Sequence, residues 1–419
     1  LNSRKPIYAI IALGLTAAFA LSFVPYALIA RAGRAVEAYA VATVAPQVLA
    51  RVEKPRPEPP AFDAAAWYVA RGEDPATHGV LVETLDGTRT LAALNAEQTF
   101  NPASLVKLAT TLAALKRLGG DFRFETRVYL DGEVDSSGAL RGRLIVAGGD
   151  PTFGDVSGVL IAKELERRGI KRLAGQLVVT PDFTFNFSEK PEDSAARLAK
   201  VMRLAPSKLA VGEAPEGKPV FVARSYPLKD ILFYMNAHSS NFMAHRVGSL
   251  VGGAEGVRDL LLTELKLPAE EVALSTTSGL ELNRMTPRGL LAVIRALRNE
   301  TERQGLALRD VMPVASGDYG TLRRRFVGTP LEGVVVGKTG TLVHDDGGMA
   351  SLGGVIYTQK YGEVCFVVLN IGSSVALNRQ TTDQLLSEIV LSNDAPAPTE
   401  TPVAPRRQLD STDLEIEER

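Results

Sequence analysis

Three short stretches of this chain bring together a nucleophile, a base and anion-binding groups. Ser104 and Lys107 stand three apart in Asn101-Pro102-Ala103-Ser104-Leu105-Val106-Lys107. On a helix that spacing puts both side chains on one face, within reach of each other. A hydroxyl beside an amine is a nucleophile beside a base, provided the amine is neutral. Far along the chain, Ser239-Ser240-Asn241 offers a second hydroxyl and an amide, and Lys338-Thr339-Gly340-Thr341 offers a cation flanked by hydroxyls. A serine followed by a lysine three places on is common by chance, usually a cap residue and a solvated lysine. The pair gains weight because each of the three patterns occurs once, and in this order.

The elements around these residues are legible in outline. Gly79 to Leu85 reads as a strand, with a turn at Asp86-Gly87. Leu105, Leu108, Leu112 and Leu115 mark a helix that ends at Gly119-Gly120, and Ser104 is placed to cap it. From Asp121 the texture changes. Strands at 124–130, with a turn at Asp131-Gly132, and at 140–147 are followed by a helix at 156–168 and a strand at 173–180. Residues 184–217 are polar, with a helical stretch near 195–202. Val220 to Ala223 reads as the strand returning to the main domain, which makes 121–220 an insert between 62–120 and 221–392. Pro227 opens a helix that breaks at His238-Ser239-Ser240, and Asn241 starts the next. Helices follow at 255–266 and 288–299. Val334 to Val336 leads as a strand into Lys338, with strands at 350–357 and 364–371 and a closing helix at 381–391.

Arg4 and Lys5 precede an uncharged run from Ile7 to Ala30, the pattern of an export signal or a membrane anchor within residues 1–30. Residues 31–61 form a linker made stiff by Pro55, Pro57, Pro59 and Pro60. Residues 393–419, rich in Pro, Thr and Glu without an apolar period, read as a disordered tail.

Composition removes several function classes. The 419 residues carry 47 Lys+Arg against 48 Asp+Glu, and no basic stripe with interleaved aromatics appears, so nucleic acid is not an expected partner. Cys365 is the only cysteine and lies in an apolar run, where it reads as a small buried hydrophobe. The four histidines show no metal-ligand spacing, and no metal or other cofactor is implied. Gly337-Lys338-Thr339 has the ending of a phosphate-binding loop, but position 332 is Glu and strand follows rather than helix. No G-x-S-x-G elbow is present.

Taken together, the S-x-x-K, S-x-N and K-T-G motifs resemble those of penicillin-recognising serine enzymes. The chain resembles the class C low-molecular-mass penicillin-binding proteins, the D-alanyl-D-alanine carboxypeptidase/endopeptidase family, over about 75–392. Gly148-Gly149-Asp150-Pro151-Thr152, Met235 to Phe242, Thr277-Ser278-Gly279-Leu280 and Gly320-Thr321-Leu322-Arg323 share the likeness. The segment between Thr180 and Val220 is short for this family, and the only tryptophan, Trp67, lies outside it. The resemblance implies an α/β (α+β) serine β-lactamase/DD-peptidase-like transpeptidase fold, an antiparallel sheet with a helical subdomain and a small inserted β-rich domain.

It also implies acyl transfer. Ser104 attacks the carbonyl of the penultimate D-alanine, and Lys107 takes its proton. That requires a lysine well below its usual value of about 10.4, lowered by burial and by a neighbouring cation, for which Lys338 is the candidate. Ser239 passes a proton to the leaving amine, and Asn241 holds the substrate amide. Lys338 with Thr339, Gly340 and Thr341 binds the terminal carboxylate. The N–H groups of Ser104 and Thr341 form the oxyanion hole, and Asp182 is the candidate counterpart of an acidic insert residue that holds the stem-peptide amine. Peptidoglycan stem peptides are the implied substrates, in the periplasm or cell envelope, with β-lactams as covalent inhibitors and membrane attachment through residues 7–30 if these are retained. A β-lactamase and a non-catalytic peptidoglycan-binding protein are the alternatives. The longer separation of Ser104 from Ser239, the insert and the lack of an identifiable deacylating glutamate weigh against the first, and the full set of polar residues against the second.

Overall fold

A computed structural model describes residues 60–394, apart from 345, 346 and 373, together with 396 and 415–418. The expected export segment, most of the expected linker and most of the tail lie outside the described residues.

Helix α1 (Ala64–Val69) starts at Asp63, whose carboxylate accepts from Ala66 N–H, and it buries Trp67 and Tyr68. Strands β1 (His78–Thr84) and β2 (Thr90–Leu94) pair across the Asp86-Gly87 turn. A tight helical turn, Ala103–Leu105, then feeds α2 (Val106–Leu118), which Gly119 ends at φ +82. Every residue of α2 from Val106 to Leu115 is buried, so this helix is the axis of the main domain rather than a surface element. Ser104 does not cap it. No side chain caps either helical segment, and the Ser104 hydroxyl faces Lys107 instead.

The insert follows. Strands β3 (Glu125–Val134) and β4 (Ala139–Ala147) pair antiparallel. The turn between them falls after Val134, not at Asp131-Gly132. Gly132 stands opposite Gly142 inside the ladder, where a Cβ on Gly132 would lie 2.2 Å from Arg141 O. The turn belongs to Asp135, whose carboxylate accepts from Ser137 N–H at 2.9 Å and Ala139 N–H at 3.1 Å. Helix α3 (Asp155–Arg167) comes next. The single strand expected at 173–180 is two, β5 (Arg172–Leu173) and β6 (Gln176–Val179), both parallel to β4. Helix α4 (Pro191–Val201) is followed by β7 (Lys208–Val211), a strand that the polar sequence concealed, parallel to β6. Strand β8 (Phe221–Arg224) does not return to the main sheet. It pairs with β3, so the insert's sheet extends to Arg224.

The main domain resumes with α5 (Leu228–His238), α6 (Asn241–Leu250) and α7 (Gly253–Thr263). A short ribbon of β9 (Val272–Ala273) and β10 (Arg284–Met285) precedes α8 (Pro287–Arg303). Strands β11 (Val335–Leu342), β12 (Met349–Thr358) and β13 (Gly362–Ile371) lead to α9 (Val375–Ser392). Helix α9 starts earlier than the apolar period indicates because Ser374 Oγ caps it at Leu377 N–H. The main sheet runs β11-β12-β13-β1-β2, antiparallel throughout, with β11 at one edge. One of its faces is covered by a core drawn from α2, α5, α6 and α8, and the other by α1 and α9. Cys365 is buried in β13, and burial pushes its thiol up to about 12. Inside the expected disordered tail, Glu415–Glu418 form β14, which pairs with β8 and brings Ile416 to the insert's core.

Candidate active site

Ser104 stands on a strained turn held from both sides. Ala103 has φ +50, a conformation that costs a non-glycine residue about 1–2 kcal/mol. Asn101 Oδ1 accepts from Ala103 N–H at 3.0 Å, and Ser351 Oγ on β12 donates to Pro102 O at 3.0 Å. Gly279 (φ +84) passes so close that a Cβ there would lie 1.9 Å from Ala103 O. On the β11 side, a Cβ on Gly340 would lie 2.1 Å from Ser351 Oγ and 2.8 Å from Pro102 O. The turn is therefore wedged between the 276–280 loop and β11, with a glycine on each flank.

Lys107, in the first turn of α2, is fully buried. Its Nζ lies 2.9 Å from Ser104 Oγ, 2.8 Å from Asn241 Oδ1 and 2.5 Å from the Ser278 carbonyl. Burial brings its pKa down to about 7. A neutral amine has two N–H groups and one lone pair. The Ser278 carbonyl can only accept, and so can Asn241 Oδ1. The lone pair is then left for the Ser104 hydroxyl, the arrangement a general base needs.

Lys338 is also fully buried. Its Nζ donates to Ser239 Oγ at 2.8 Å and to Thr339 O at 2.6 Å. Burial first, and Lys107 second, push its pKa well below the ordinary lysine range. Of the two expected causes, the structure supports burial and not the neighbouring cation. Burial, and not charge on Lys338, is what lowers Lys107, while Lys338 is itself disfavoured as a cation by Lys107.

The connection between α5 and α6 presents the second motif. Ser239 adopts a left-handed conformation (φ 56, ψ 38) that ends α5, and Ser240 Oγ caps α6 by accepting from Met243 N–H. Thr321 N–H donates to Ala237 O at 2.8 Å, so the Gly320-Thr321 turn supports the connection from behind. Asn236 Nδ2 donates to Thr111 Oγ1 and Val311 O, tying α5 to α2. Ser104, Lys107 and Asn241 are thus joined by one set of polar contacts, and Ser239 and Lys338 by a second. Along β11, Thr339 and Thr341 point to the opposite face from Lys338. Thr339 Oγ1 donates to Thr321 Oγ1 at 2.8 Å, and Thr341 Oγ1 accepts from an Arg379 N–H at 3.0 Å.

Residues that the motifs did not single out complete the site. The Ser278 carbonyl holds Lys107, and Ser278 Oγ lies 2.8 Å from His245 Nε2, one helical turn beyond Asn241. Burial and then the nearby Lys107 lower the His245 pKa. Thr277-Ser278-Gly279 was visible as a likeness without a role, because only the fold carries it to Lys107. The insert flanks this helix: Arg246 donates to Asp182 O at 3.0 Å, and Phe187 meets Phe242 edge-on. No group of three or more His, Cys, Asp or Glu able to hold a metal occurs among the described residues.

The sequence matches the D-Ala-D-Ala carboxypeptidase 3 (S13) family over residues 66–196 and 180–389. The two stretches overlap at the start of the segment that reads as short. A carboxypeptidase of Mycobacterium tuberculosis, Rv3627c, is 30% identical over 213 residues, 47% of this chain and 45% of the relative. A D-alanyl-D-alanine carboxypeptidase of Actinomadura sp. (strain R39) is 31% identical over 172 residues, 36% of this chain and 31% of the relative. The matched part thus spans less than half the length of these curated relatives. Among solved structures, the predatory peptidoglycan endopeptidase Bd3459 of Bdellovibrio bacteriovorus superposes with a TM-score of 0.67 at 21% identity, covering 81% of this chain and 98% of that one. Penicillin binding protein 4 (dacB) of Haemophilus influenzae gives 0.60 at 20% identity, covering 74% and 96%. At such identities these two show the fold, the mixed α/β transpeptidase architecture with its antiparallel sheet and helical subdomain. With the family matched across most of the main domain and the insert, the chain belongs to the D-Ala-D-Ala carboxypeptidase 3 (S13) family, the class C type of penicillin-binding protein.

Proposed function

We propose that this protein is a serine DD-peptidase that cleaves D-alanine-terminated peptidoglycan stem peptides through an acyl-enzyme on Ser104. The observation that carries this reading is the fully buried Lys107 amine, 2.9 Å from Ser104 Oγ, with its two other contacts on acceptors. Ser104 Oγ attacks the carbonyl carbon of the penultimate D-alanine as its proton passes to Lys107. The oxyanion is received by the N–H groups of Ser104 and of Thr341 on the edge strand, donors whose loss typically costs about 10²–10³ in rate. Asn241 holds the substrate amide. Collapse breaks the C–N bond, and the leaving amine takes the Lys107 proton by way of Ser239, which returns Lys107 to its neutral form. Water, deprotonated by Lys107, then hydrolyses the ester. Thr339, Gly340 and Thr341 line the edge where the terminal carboxylate docks, and Asp182 is offered to the stem-peptide amine.

D-Ala-D-Ala carboxypeptidase action is the activity we assign, with DD-endopeptidase action on cross-links as its extension, since both cleave after the same D-alanine. A β-lactam presents a strained amide and a carboxylate to the same groups and stays attached to Ser104. The substrate places the working enzyme outside the cytoplasm, in the cell envelope. No described helix is long and apolar enough to cross a membrane, and residues 7–30 lie outside the described part. The test is intact-mass analysis after exposure to a fluorescent penicillin. A stable adduct on the wild type, absent from Ser104→Ala, is expected, and muropeptide digestion then separates the two peptidase activities. Absence of any adduct without drug turnover would overturn the mechanism, and rapid drug hydrolysis would make the protein a β-lactamase.

A further inference from the structure

The group expected to recognise the substrate carboxylate, Lys338, is fully buried with its Nζ already hydrogen-bonded to Ser239 Oγ and Thr339 O. The next cation along β11 is Arg379, from the first turns of α9. It is exposed and donates to Thr341 Oγ1 at 3.0 Å. Its neighbour Arg325 takes the nearby carboxylate, Asp383, with Nε 2.9 Å from Oδ1 and 3.0 Å from Oδ2. Arg379 itself has no carboxylate partner among the described residues. It is thus a charged fork with one N–H spent on a hydroxyl of the edge strand and no other hydrogen-bond partner for the guanidinium among the described residues.

We propose that Arg379, acting with the Thr341 hydroxyl, binds the free carboxylate of the residue that the enzyme releases and makes the site selective for acid-terminated substrates. A guanidinium matches a carboxylate with two parallel N–H donors and stays protonated at any working pH, whereas a buried lysine does not. Burial first, and the nearby Arg325 second, lower the proton affinity of Arg379, and an anion bound there favours the charged form. Lys338 is then free to serve Ser239, and the two tasks expected of one lysine are divided between two residues.

This inference rests on the peptidase reading, and one assay separates them. Acylation of Ser104 is followed by intact mass for benzylpenicillin and for its methyl ester, which keeps the reactive ring and loses the anion. The proteins are the wild type, Arg379→Gln and Arg379→Lys, with melting temperatures as the check on folding. A charge-assisted hydrogen bond is worth about 1.5–3 kcal/mol, so Arg379→Gln is expected to slow benzylpenicillin about 10- to 100-fold and leave the ester unchanged. Arg379→Lys falls between. An unchanged benzylpenicillin rate, or an equal loss on both compounds, overturns the role of Arg379 while leaving Ser104 acylation in place. No adduct on the wild type overturns the peptidase reading and this inference with it.

Discussion

At the scale of single residues, the chemistry turns on one lone pair. Lys107 makes three contacts, and two of them are to groups that accept. Only a neutral amine can then take the Ser104 proton. The sign of the pH dependence follows. Burial lowers the Lys107 pKa to about 7, so acylation by penicillin falls as pH drops through 7, where the amine gains a proton, and levels off above it. Stopped-flow acylation from pH 5 to 9 measures that limb, and a rate independent of pH across 7 would exclude Lys107 as the base. Asn241→Asp puts a carboxylate 2.8 Å from the same nitrogen. An opposite charge at this range favours the protonated lysine, and the midpoint is expected to rise by about 1–3 pH units.

At the scale of elements, the site is made by close approaches that only small residues permit. The Ser104 turn passes between Gly279 and Gly340, and Ala103 and Ser239 are both held at positive φ. Gly279→Ala meets Ala103 O at 1.9 Å and also loses an easy left-handed conformation. It is expected to displace the turn, cost about 1–3 kcal/mol of stability and slow acylation at Ser104 far more than that loss of fold explains. Thermal melts beside acylation rates on the folded fraction check this. A variant with wild-type rates would show that the turn can shift without harm.

At the scale of the molecule, two long-range ties matter. Arg325, after the Gly320-Thr321 turn, is buried and forks onto Asp383 of α9, joining the support of Ser239 to the far face of the sheet. Breaking a buried pair by removing one partner costs about 3–5 kcal/mol, and Arg325→Ala is expected to lose that much in denaturant unfolding. A loss under about 1 kcal/mol, as for exposed pairs, would refute the tie. The second tie is β14, whose Ile416 packs on the insert and whose Glu417 pairs with Arg224 at 2.6 Å. Truncation after residue 394 uncovers the β8 edge. It is expected to lower the melting temperature and leave penicillin acylation unchanged, and a fall in acylation would place the tail in the site's support.

The helices and strands that carry the three motifs were readable because their signals are local. An apolar period marks α2, Gly119 stops it, and the break before Asn241 is written in His238-Ser239-Ser240. The same locality explains the misses. Ser104 looked like a cap because serine before a helix usually is one, but its hydroxyl is claimed by a lysine that the fold buries. Strand β7 is only four residues long in a polar surround and the tail strand β14 is largely acidic, and both exist as strands because a neighbour's edge supplies their hydrogen bonds. The sequence by itself determined the family, the main sheet and helices, and the residue types able to do acyl-transfer chemistry. Only the tertiary structure decided that Ser278 holds the base, that burial sets its pKa, that Lys338 serves Ser239 rather than open solvent, and that Arg379 meets Thr341. Each of those depends on distance between segments far apart in the chain, and on desolvation, which a linear sequence does not carry.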